Sequence, residues 1–124
     1  MVTEIAPITF GYSHTIGRQE NRSGNGFFYP VAITRDKDNL LYVVSRGSET
    51  PAFFPCKRVT VLNMDEELVR EFGTKVPPEE ADESAPDGSF MWPTSIALDK
   101  GGIAYVSDEW LNRISVFDKN GACI

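Results

Sequence analysis

The residues of this chain best equipped for chemistry lie in two stretches, SRGSETPAFFPCK (45–57) and SDEWLNR (107–113), with Trp92 between them. Arg46, Glu49, Lys57 and Glu109 supply charge; Phe53, Phe54, Trp92 and Trp110 supply aromatic surface. Aromatics beside charged side chains are ingredients of recognition, where anchors give affinity and charges set orientation. They are poor ingredients for catalysis. His14 is the only histidine and reads as a surface or edge residue, so no multi-histidine metal site can be built within the chain. There is no Gly-x-Ser-x-Gly elbow and no phosphate-cradling glycine loop. The acidic run EEADESAPD (79–87) lacks the spacing of a calcium loop and reads as a solvated loop. No residue is assigned to catalysis, to a metal or to a cofactor.

The totals narrow the partners. A chain of 124 residues has room for one ordinary domain, and 41% hydrophobic with 24% charged residues is a globular composition. The net charge of −6 weighs against a nucleic-acid backbone as the main partner. No apolar run approaches the roughly 20 residues of a membrane helix, and MVTEIAPITF lacks a basic segment followed by an apolar core. No membrane partner and a cytoplasmic location are expected. Cys56 and Cys123 read as two thiols of a reducing compartment, with a disulfide left open.

The elements that must position these residues come from a repeat. PVAITRDKDNLLYV (30–43) and PTSIALDKGGIAYV (93–106) share six of fourteen columns without a gap, at a shift of 93 − 30 = 63. Downstream, RVTVLN (58–63) matches RISVFD (113–118) at a shift of 55, so the first copy carries eight extra residues between its second and third strands. GNGFFYP and DGSFMWP precede the two copies. VAIT, LLYVVS, RVTVLN and LVREF are short and β-branched, and DKDN, DKGG, MDEE and DKNG punctuate them as turns. Pro30 and Pro93 are expected just before the first strand of each copy. Asn120-Gly121 suits a type I′ hairpin. NMDEELVREFG could be drawn as a helix; its alignment with DKNGACI favours turn plus strand. Each unit is thus four antiparallel strands in sequence, with apolar residues on both faces. Such sheets arranged radially make a β-propeller.

These residues resemble the NHL repeat family. GSFMWPTSIALDKGGIAYVSDEWLNRISVFDKNG fits the pattern at Phe90, Pro93, Ile96, Ala97, Asp99, Tyr105, Val106, Asp108, Asn112, Arg113, Ile114 and Phe117; the first copy has Ser45 where Asp108 stands. The resemblance covers about residues 10–124. It implies an all-β chain of six-bladed propeller-like blades, partial and not a closed ring. Residues 1–17 would be an outer strand of the ring-closing type, because YSHTIG (12–17) aligns with LVREFG (68–73). Residues 18–73 would be one blade, and 74–124 a second that stops in its fourth strand. The resemblance also implies structural roles for Asp108, Asn112, Arg113 and Arg58, with Asp108 and Arg113 joined by a charge-assisted hydrogen bond across the loop between them; a direct ligand role for that pair is the other reading. About two blades leave outer faces bare, so the chain is expected to be marginal alone or to self-associate to complete its ring.

A meander places the loop after the second strand and the connection between blades at one end, and the short turns at the other. The long segments, 46–57 and 74–92, therefore share one end, where binding usually lives. Arg46, Glu49, Phe53, Phe54, Lys57, Trp92, Glu109 and Trp110 are the candidates there. Phe53, Phe54 and Trp110 either fold over the blade edge or form a docking patch. The expected function is a non-catalytic scaffold that recognises a protein or small ligand at this end. The alternative is part of a propeller hydrolase or lyase with its active site at a central channel.

Overall fold

The computed structural model describes residues 3–20, 23–48, 50, 56–75 and 85–124. The first repeat forms one antiparallel sheet in chain order: β1 (Pro30–Arg35), β2 (Leu41–Ser45), β3 (Arg58–Leu62) and β4 (Leu68–Phe72). A short parallel pair follows, β5 (Thr74–Lys75) with β6 (Ser89–Phe90). The second repeat forms a separate antiparallel sheet, β7 (Pro93–Leu98), β8 (Ala104–Asp108) and β9 (Arg113–Phe117). Cys123 bridges Phe117 where a fourth strand would run. No α-helix occurs among the described residues, and 63–72 is a turn and a strand. The chain is thus all-β, with sheets of four and three strands and no closed barrel.

The repeat extends to fine detail. Pro30 opens β1 and Pro93 opens β7, rather than preceding them, and a register irregularity follows each proline. The four turns that follow β1, β3, β7 and β9 share one design. Asp36, Asn63, Asp99 and Asp118 each accept, on Oδ1, the amides two and four residues ahead. Each residue's carbonyl takes the amide three ahead, and that third residue has positive φ: Asn39, Glu66, Gly102 and Gly121. This is a type I turn closed by a bulge. The expectation of a type I′ turn at Asn120-Gly121 is therefore corrected. Only Gly121 is left-handed, because the Asp118 carboxylate pins the Asn120 amide from the other side.

The two sheets pack face to face. Tyr42, Val44, Val59, Val61 and Phe72 of the first meet Ile96, Ala104, Val106 and Phe117 of the second, with Phe90 of β6 among them. Each buried Val, Ile or Phe among them contributes roughly 1.5–3 kcal/mol, so this seam outweighs any single hydrogen bond. Gly73 makes room for it: at φ +95°, its Cβ would lie 2.1 Å from the Phe90 ring. Gly17, φ +89°, stands in the same relation to Phe27, at 2.3 Å. Gln19 bridges Phe27 in parallel, as Lys75 does Phe90.

Of the outer strand expected over 1–17, the described part, residues 3–17, forms none. Residues 3–18 carry no strand, and Ile5, Ile8, Phe10 and Tyr12 are exposed. A strand needs an edge to pair with, and among the described residues this segment meets none.

Candidate functional site

At the long-loop end, each sheet ties its second strand to the segment that leads into its first. In the second sheet the tie is Asp108. Its buried carboxylate accepts the amides of Met91 at 2.8 Å, Trp92 at 3.0 Å and Leu111 at 3.0 Å. In the first sheet Ser45 stands in its place and accepts the Phe28 amide at 3.3 Å. Phe28 and Met91 are equivalent at the shift of 63. Backbone bonds complete the match: Arg46 N–H donates to Tyr29 and Glu109 N–H to Trp92, both at 3.0 Å.

The arginine that begins each third strand holds the same lead-in segment from the other side. Arg113 donates to the carbonyls of Ala85 at 2.9 Å, Pro86 at 2.6 Å and Ser89 at 3.3 Å. Arg58 donates to those of Gly26 at 3.0 Å and Glu20 at 3.3 Å and pairs with Glu71 at 3.0 Å. Asp108 and Arg113 do not bond each other, contrary to expectation. Though opposite in the ladder, the carboxylate is taken by amides and the guanidinium by carbonyls. Asn112, at φ +50°, turns the chain between them and donates to the Trp110 carbonyl at 3.4 Å.

Rigid ties on both sides hold an aromatic cluster across the seam between the sheets. Trp92 and Trp110 stack with ring centres 6.5 Å apart and planes 9° from parallel. Arg46, from the first sheet, lays its guanidinium 4.5 Å from the centre of the Trp92 ring, a cation–π contact. Trp92, Trp110 and Glu109 line an open notch of about 340 Å³. Trp110 is 53% exposed and Glu109 is exposed. An indole face beside a carboxylate at the surface can hold a cation by quadrupole and by charge.

Of the eight residues expected at this end, the structure brings together Arg46, Trp92, Glu109 and Trp110. Lys57 lies elsewhere: it is 2% exposed, and its ammonium donates to the Met91 carbonyl of the other sheet. Glu49, Phe53 and Phe54 lie outside the described residues. Ser45 and Glu71 were not singled out from sequence. The signal for Ser45 was its column, shared with Asp108; Glu71, which also accepts from Ser23 and the Gly24 amide, gave none. Both cysteines are thiols, and burial pushes that of Cys56 up, away from the reactive thiolate. Among the described residues no group of three or more His, Cys, Asp or Glu is placed to hold a metal ion. No helix of the described residues is long and apolar enough to cross a membrane.

Compared with known protein families and with curated proteins, the sequence gives no match.

Proposed function

We propose that the two sheets are NHL-type propeller blades and that the chain is a non-catalytic recognition scaffold, whose notch at Trp92, Trp110 and Glu109 takes a cationic side chain of a protein partner. The observation that carries this reading is the stacked indole pair of the second sheet, beside an exposed carboxylate. Arg46 on Trp92 is an internal example of a guanidinium accepted by this surface. The sequence favours the same sign: the connection 76–88 between the two repeats carries five carboxylates and no cation.

Magnitudes choose between a small ligand and a protein. A cation–π contact is worth about 0.5–2 kcal/mol, and an exposed ion pair adds up to about 1 kcal/mol. Together they fall short of the roughly 4 kcal/mol that corresponds to a millimolar Kd. One ammonium is not enough. A basic segment of a protein, making several such contacts at once, is.

Trp92 and Trp110 are the only tryptophans, so intrinsic emission reads this site alone. An Arg- and Lys-rich peptide is expected to shift the emission saturably, and an acidic peptide of equal length is not. Trp110→Ala and Glu109→Gln should each weaken the binding several-fold. Equal response to both peptides, or none to either, would overturn the reading.

A further inference from the structure

The seam between the sheets is a worked example of how one repeat docks on the next, and the chain exposes the two halves of a second one. On the far side of the first sheet, Ile33, Leu41 and Val43 line an apolar cleft of about 390 Å³ with Ile16 and Phe27. At the repeat shifts their counterparts are Ile96, Ala104, Val106, Phe72 and Phe90, every one of which is buried in the seam. The cleft is therefore the seam's receiving half without its partner. On the far side of the second sheet stand Tyr105, 41% exposed, Ile114, 63% exposed, and Val116. Their counterparts are Tyr42, Val59 and Val61, which form the inserting half. Volumes change in opposite senses on the two bare faces. Leu41 is larger than Ala104, while Ser107 is smaller than its counterpart Val44.

The two faces lie on opposite outer sides of the described residues, so neither can cover the other within one copy. We propose that a second copy of this chain docks its Tyr105–Ile114–Val116 face into the Ile33–Leu41–Val43 cleft of the first, continuing the seam from copy to copy. The contact is heterologous, so it propagates until it closes. With about two repeats per copy and rings of about 4–8 blades, closure takes roughly two to four copies.

The test is the mass in solution by light scattering across a range of protein concentrations. The 124-residue chain is expected at a small multiple of 13.8 kDa. Ile33→Glu spoils the cleft and Ile114→Glu the inserting face; both side chains are more than half exposed, so both variants fold. Each variant alone should be a monomer. Mixed, they retain one intact face of each kind and should form a 1:1 dimer that grows no further. A wild-type chain that stays monomeric, variants that keep the wild-type mass, or a mixture that does not associate would each overturn the proposal.

Discussion

Replacing Asp108 by Ala tests the account of the long-loop end most directly. The carboxylate is 3% exposed and accepts three amides, from Met91, Trp92 and Leu111. A buried bond to a charged acceptor is worth about 1.5–3 kcal/mol. Three such bonds, less the desolvation that the carboxylate no longer suffers and the water that reaches half-buried Trp92, leave a loss of about 3–4 kcal/mol. For a chain of this length the unfolding entropy is about 0.26 kcal/mol per degree, so the melting midpoint should fall by about 12–15 °C. Asp108→Ser should recover about 1 kcal/mol, because the first sheet runs the same junction on Ser45 with one bond. Guanidinium unfolding followed by tryptophan emission and by circular dichroism measures both. The indole stack should also loosen in the folded Ala variant, since the Trp92 amide loses its anchor. If Asp108→Ala costs less than about 1 kcal/mol, or Ala and Ser behave alike, the three-amide account is wrong.

Two further outcomes follow from the repeat. Gly73→Ala should destabilise by about 2–5 kcal/mol, from left-handed strain and overpacking against the fully buried Phe90; Gly17→Ala, facing the half-buried Phe27, should cost less, and equal midpoints in denaturant would contradict this. The amides of Ala122 and Asn120 hold the Asp118 carboxyl below its ordinary value, with Gly121 adding to them. A depressed folded value contributes stability that is complete above the unfolded value of about 3.9 and is lost as pH falls through the folded one. Asp118→Asn should keep the turn, as Asn63 does in the first sheet, and flatten that part of the acid limb of stability against pH; an unchanged acid limb would count against it.

Local and periodic features were readable from the chain. The two repeats, their strand order and the turn positions follow from short β-branched runs and their punctuation, because strands buried on both faces carry apolar residues on both and each short turn between them opens on an Asp or Asn whose side chain caps the backbone. What a side chain bonds to was less readable. Asp108 and Arg113 invite pairing by charge. Buried amides and carbonyls must also be satisfied, however, and at this junction they claimed both groups first. Lys57 looked like a surface cation beside a long loop. Its position at the seam, where a second sheet offers a carbonyl, depends on contacts between residues 34 apart. The Trp92–Trp110 stack was half visible: both were candidates, but nothing in the spacing says that Arg46 of the other sheet reaches them.

The back of the notch is braced from a second body. Trp92, Glu109 and Trp110, which line it, come from the second sheet, and Arg46, which packs on Trp92, comes from the first. The bracing therefore depends on the angle between the sheets, and anything that holds that angle holds Arg46 on Trp92. Thermodynamic reciprocity then applies: an occupant that favours one angle must favour whatever else holds the sheets there, and by the same factor.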